Sequence, residues 1–149
     1  MSAPYTRALL RLAAEGAAHL PLSGATHRAT RRTVSCGSRI ALDLTLDDDG
    51  RVRDVGYDLN ACAFGQASSA LFARGARGRS AAEITAARDE LKRWLAGDGA
   101  PPDWPEIGEL AAAARALPGR HGAVTLPFDA AVDALADPAA ATDDASVAP

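Results

Sequence analysis

The sequence predicts an α+β fold, with a three-stranded antiparallel sheet and helices packed on one face of it. Apolar residues occupy every second position of the segment 40–46, which is typical of a strand with one buried face. The acidic turn Asp47–Gly50 separates this segment from another one of similar length, as in a hairpin. After Cys62 the apolar period changes from two to about 3.6 residues, which indicates helices.

Length and composition favour one domain. The chain has 149 residues, of which 48% are apolar, enough to build a single core. We place the domain at residues 1–137 and expect a disordered tail at 138–149, where few residues have anything to bury. The net charge of −3 gives no reason to expect nucleic acid or an anionic membrane as a partner. The sequence shows neither a signal-peptide pattern nor a membrane span, so we expect a cytoplasmic protein.

The first half of the chain predicts one helix and three strands. The helix covers Tyr5–Glu15 and is closed by Gly16. The strands are Ala25–Val34, the alternating segment 40–46, and Arg51–Leu59, and they form a meander. Four arginines near the sheet are interpreted as a solvated face, with a docking patch as the alternative: Arg28, Arg31, Arg32 and Arg39.

The second half predicts helices. Asn60 is a suitable N-cap for a helix that has Cys62 in its first turn and is ended by Gly75 and Gly78. A capping box at Ser80–Glu83 begins the next helix, and Gly97 ends it.

The following link and the last helix are defined by prolines. Trp104 is expected to anchor the link Gly99–Pro105 to the core, before a short helix that begins near Ile107. Pro127 is compatible with a final helix only in its first turn, which places Ala123 at or just before the helix start.

The two cysteines of the chain stand where chemistry is expected. In a reducing compartment they favour either inert buried thiols or reactive, metal-binding ones over a disulfide. Cys36 precedes Gly37 at the start of the second strand, and Cys62 follows the third strand. Unpaired N–H groups at a helix start favour negative charge there, and so a Cys62 thiolate. Since both positions can lie at the same end of the sheet, we predict a metal or sulfur site.

The motif around these cysteines resembles a known family. Cys36-Gly37, a hydrophobic strand, an acidic turn and the run CAFGQASSA at 62–70 are similar to the IscU/NifU/SufU iron-sulfur cluster assembly scaffolds. The resemblance extends from about Tyr5 to Leu135. It implies a SufE/NifU-like fold and a binding role in iron-sulfur cluster biogenesis, with no catalytic residues and no enzyme activity. Cysteine desulfurases and cluster-recipient proteins are the partners that it implies.

Two departures from the family pattern matter for the ligands. Ser38 stands where the family has an aspartate, and Ala123 stands at the third-cysteine position, where a shift of one residue would place Gly122. The family's site therefore carries over only to Cys36 and Cys62. A zinc ion or a [2Fe-2S] cluster needs four donors. The missing ones could come from a second copy in a homodimer, from a partner or small thiol, or from His121.

The leading hypothesis is a scaffold or carrier that binds iron or a [2Fe-2S] cluster through Cys36 and Cys62, with zinc as the alternative metal. Two other functions stay open. In place of a scaffold or carrier, the chain is either an acceptor of persulfide sulfur or a metal-free adaptor for a cysteine desulfurase. A cysteine hydrolase is disfavoured, because no motif places an oriented histidine beside a cysteine.

Overall fold

The sheet has the predicted antiparallel meander. The structure, a computed structural model, describes residues 6–34 and 37–136. Its strands are β1 (His27–Arg32), β2 (Arg39–Leu46) and β3 (Val52–Asn60), in the order β1-β2-β3. Arg39 lies opposite both Arg32 and Asn60, so the β1–β2 connection and the last residue of β3 are at the same end. We call it the Cys62 end of the sheet.

Five helices follow or precede the strands in the described part of the chain. They are α1 (Arg7–Ala18), α2 (Ala63–Ala76), α3 (Ala81–Leu95), α4 (Ile107–Ala114) and α5 (His121–Ala136), the last preceded by a 3₁₀ turn at Pro118–Arg120. Helix α5 packs across β1 and β2, and α2 packs against α1, α5 and β3. The α+β architecture with a three-stranded antiparallel sheet is confirmed. Within the described residues, no helix combines the length and apolarity that crossing a membrane requires.

The core lies between the sheet and the helices. Every second residue of β2 is completely buried, at Ile40, Leu42 and Leu44. Trp104 joins this core from the link before α4. Its indole Nε1 donates to the Leu71 carbonyl at 2.9 Å, and its ring stacks on Phe72. The link is thus anchored as the sequence predicts, and the capping box of Ser80 and Glu83 is also present at the start of α3.

Gly16 does not close α1, which continues to Ala18. The prediction of a stop at this glycine was wrong, because Gly16 serves packing between helices. A Cβ atom at Gly16 would lie 1.9 Å from the carbonyl oxygen of Gln66 in α2. The absence of a side chain therefore lets the two helices approach closely.

Arg74 ties three segments together beside this contact. Its guanidinium binds Glu15 of α1 and Glu106, which precedes α4. Hydrogen bonding from Arg74 lowers the pKa of Glu15 below its ordinary value. Glu106 has a φ of 64°, a backbone conformation that costs energy for a residue other than glycine. Its ion pair with Arg74 favours that conformation.

Pro127 lies inside α5, at its seventh residue, rather than in the first turn. The helix begins two residues earlier than predicted, at His121, so the carbonyl left without a proline N–H is that of Ala123. The next carbonyl, that of Val124, accepts a hydrogen bond from the Ser68 hydroxyl of α2. The Ser68 hydrogen bond therefore joins α5 to α2 one residue beyond the carbonyl to which Pro127 cannot donate. The predicted tail at 138–149 lies outside the described residues.

Replacing Gly16 by alanine tests the α1–α2 contact. We expect Gly16→Ala to lower the free energy of unfolding by about 1–3 kcal/mol, because overpacking outweighs the better helix propensity of alanine. Urea denaturation gives this value. Gly119→Ala is the matched control, since an added Cβ there meets nothing within 4 Å, and its effect should stay within about 0.5 kcal/mol. Equal effects would show that α1 and α2 are not in close contact.

Candidate functional site

Cys62 is the N-cap residue of α2. Its backbone is extended, with φ −69° and ψ 174°, and its carbonyl accepts the N–H of Gln66 at 2.9 Å. The prediction that Asn60 caps the helix was wrong, because β3 continues through Asn60, which pairs with Arg39. The sheet register and the helix start therefore place Cys62 directly at the junction of strand and helix.

The Cys62 thiol is only partly covered. It is a free cysteine of intermediate exposure, packed against the edge of the hydrophobic core. Its side chain makes no capping hydrogen bond to the N–H groups of α2. Cys62 is thus packed against the core and keeps part of its surface exposed.

The first turn of α2 touches the start of α5. A Cβ atom at Gly65 would lie 2.7 Å from the Cβ of Ala61 and 3.7 Å from the Cβ of Ala123. Ala123 is completely buried. The position matching the family's third cysteine is therefore beside the turn that Cys62 caps, but it holds a methyl group. Ser68, to which the sequence motif assigns no separate role, donates to the Val124 carbonyl and joins the same two helices.

The β1–β2 connection closes next to Arg39. The Ser38 N–H donates to the Thr33 hydroxyl at 3.0 Å, and the Thr33 N–H donates to the Ser38 carbonyl at 2.8 Å. Ser38 is buried, whereas Gly37 is exposed with a φ of 71°. Cys36 lies outside the described residues, so the meeting of its sulfur with that of Cys62 stays a prediction.

His121 has a structural contact of its own. Its Nε2 donates to the carbonyl oxygens of Ala114 and Arg115, at 3.0 and 3.1 Å, and so binds the end of α4. Its side chain lines a cavity of about 230 Å³ beside Lys92. Because residues two apart in a helix point about 200° apart, His121 and Ala123 face different sides of α5. The described contacts do not bring His121 to Cys62, and its role as a ligand stays a prediction.

The described residues supply one sulfur donor. In the ranges 6–34 and 37–136, no three side chains of His, Cys, Asp or Glu are grouped closely enough to hold a metal ion. If Cys36 joins Cys62, two thiolates converge, and half of a tetrahedral coordination sphere still has to come from elsewhere. This arrangement fits a shared or transient site better than a closed structural one.

The chain resembles known proteins at the level of solved structures. No family model and no curated protein matches the sequence. Among solved structures, the N-terminal part of a nitrogen-fixing NifU-like protein from Brucella abortus is 32% identical, with a TM-score of 0.79. The match covers 89% of this chain and 92% of that one.

A second structure supports the same fold. It is a candidate iron-sulfur cluster assembly scaffold protein for the SUF system, from Fervidobacterium islandicum AW-1. The identity is 18% and the TM-score 0.75, over 89% of this chain and 96% of that one. The fold agrees with this structure, and the identity to the Brucella protein over nearly the full length decides the family. The chain belongs to the IscU/NifU/SufU-type family.

Proposed function

We propose that this protein acts in iron-sulfur cluster assembly, as a scaffold or carrier that holds iron or a [2Fe-2S] cluster through the thiolates of Cys36 and Cys62. The observation that carries the proposal is the position of Cys62, a free and partly exposed thiol at the start of α2 in a NifU-like fold. The iron or cluster is the protein's cargo. The structure similar to it from Fervidobacterium is itself a candidate cluster assembly scaffold.

The ligand count makes this a shared site. The methyl group of Ala123 replaces the family's third thiol, and no cluster of donors compensates for it among the described residues. Two thiolates from one chain therefore need two further donors. A second copy contributing its own Cys36 and Cys62 supplies them, and so does a partner protein. Cargo held in this way is readily passed on, since half of its ligands leave with the other molecule.

Sulfur transfer is the second candidate function. It needs only one accessible thiolate and no third ligand, and the intermediate exposure of the free Cys62 supports it. In this step the Cys62 thiolate attacks the outer sulfur of a desulfurase persulfide. A new S–S bond forms on Cys62, the bond within the donor persulfide breaks, and the donor cysteine leaves as a thiolate. The exchange is balanced and requires no external oxidant.

Replacing each cysteine by serine tests both functions. We expect the parent protein, given iron and sulfide without oxygen, to develop thiolate-to-iron absorption, and Cys36→Ser and Cys62→Ser each to lose most of it. Iron analysis and visible spectra measure this, and unchanged thermal unfolding would show that both variants are folded. A parent that binds no iron but gains one sulfur atom at Cys62 from a desulfurase, as seen by mass spectrometry, would support sulfur transfer instead. If the parent neither binds iron nor gains sulfur, the metal-free adaptor is the function that remains.

Restoring the third thiol gives an independent test. We expect Ala123→Cys to retain iron against a chelator several-fold longer than the parent, because the new sulfur lies beside the turn that Cys62 caps. Ala130→Cys is the matched control, as Ala130 is also completely buried in α5. Retention that improves equally in both variants would contradict the predicted site.

His121→Ala separates a ligand from a structural histidine. Loss of its two hydrogen bonds to α4 should lower the free energy of unfolding by about 1 kcal/mol. The iron bound per chain should not change, since the side chain is directed at α4. His27→Ala is the control for a histidine that makes no contact with α4. A drop in iron content in His121→Ala alone would establish His121 as a ligand.

A further inference from the structure

Two arginines face each other on the outer side of the sheet at its Cys62 end. Arg32 of β1 and Arg39 of β2 are direct cross-strand partners, so their side chains leave the same face. This is the face turned away from α5, because the alternate residue Ile40 is completely buried in the core. Like charges placed directly opposite each other destabilise a sheet. The pair therefore needs a compensating negative charge.

The sheet supplies only part of that charge. Asp43 pairs with Arg28 at 3.3 Å, and Asp58 pairs with Arg39 at 3.1 Å. None of the ion pairs among the described residues includes Arg32, which is exposed. The interpretation of all four arginines as one solvated face is thus too simple. Three of them are paired within the fold, and Arg32 is the cation left over.

An apolar side chain stands beside this cation. Val34 is fully exposed, with a relative accessibility of 102%, two residues beyond Arg32. An apolar residue flanked by arginines is a combination typical of protein–protein interfaces. Because Arg39 lies opposite Asn60, which is two residues before Cys62, the Cα atoms of Arg39 and Cys62 are within about 12 Å. A molecule bound here reaches the candidate site.

We propose that Arg32, Val34 and Arg39 form a docking surface for an acidic segment of a partner protein. Carboxylates of that segment pair with the two guanidinium groups, which bind carboxylates in a bidentate geometry, and an apolar side chain covers Val34. Asp58 competes with the partner for Arg39. The proposal deepens the proposed function and rests on it for what the partner does once it has docked.

Charge decides between a protein segment and other occupants. Nucleic acid or an anionic membrane presents negative charge over an area much larger than two arginines and so meets the net charge of −3, whereas a short acidic segment meets only the local cations. Two arginines with one apolar residue between them match a short peptide that alternates acidic and apolar side chains. A second copy of this chain is the remaining alternative occupant, and a measurement of oligomeric state identifies it.

The experiment uses a fluorescein-labelled peptide of alternating Glu and Leu as the probe, and the same peptide with Gln for Glu as its control. Fluorescence anisotropy at low salt gives the affinities. We expect Arg32→Glu to weaken binding about fivefold or more, and Asp58→Asn to strengthen it about two- to threefold, since exposed ion pairs contribute modestly. Arg53→Glu is the matched control, an exposed strand arginine near the turn between β2 and β3. It should leave the affinity unchanged.

Opposite shifts in Arg32→Glu and Asp58→Asn cannot both come from misfolding. Equal losses in Arg32→Glu and Arg53→Glu, equal binding of the Gln peptide, or no binding at all would overturn the proposal. So would a dimer of the parent, measured by light scattering, that Arg32→Glu dissociates, because a second copy would then occupy the surface. Iron loading should be intact in Arg32→Glu, and peptide binding intact in Cys62→Ser. Failure of the docking proposal and failure of the proposed cargo site can therefore be told apart.

Discussion

The contact between the first turn of α2 and the start of α5 is the constraint on which the candidate site depends. At Gly65 the two helices are neighbours, since an added Cβ atom would make ordinary van der Waals contact with Ala123, at 3.7 Å from its Cβ. The Ser68 hydroxyl bonded to the Val124 carbonyl holds them together one turn further along. This contact sets the direction in which α2 begins, and Cys62 caps that beginning. Further along the two helices, Phe72 of α2 and Phe128 of α5 are in edge-to-face contact and add to the packing between them.

The same contact explains how the fold persists with an incomplete ligand set. A buried thiolate without a metal would be an uncompensated charge in the core, which is costly. A methyl group at Ala123 has no such requirement and fills the space between two helices. The core of the described residues is built from aliphatic and aromatic side chains, which pack without any metal ligand among them at Ala123. An alanine at the third-cysteine position is therefore compatible with the NifU-like architecture.

What could be predicted from the sequence is what local patterns determine. The alternation in β2 and the capping box at Ser80 each depend on neighbours within a few residues, and both are present. The errors at Gly16 and Pro127 both come from assigning a helix boundary to a residue that lies inside the helix. The local sequence predicts a helix stop at Gly16, whereas in the fold this glycine leaves room for the backbone of Gln66 in α2. Pro127 is read locally as a helix start, yet α5 begins a full turn and more before it.

The candidate site shows the same limit. The importance of Cys62 follows from its motif, but the uncompensated charge of Arg32 depends on strand register and on which acids reach which arginines. Composition misleads here, because a net charge of −3 hides a local excess of positive charge. Such a local excess decides which molecules bind, since salt largely screens charges that are more than about 10 Å apart. An incomplete coordination sphere and an unpaired cation thus occur at the same end of the sheet. If the two proposals are both correct, one partner satisfies both features, because it brings ligands for the cargo and carboxylates for the arginines.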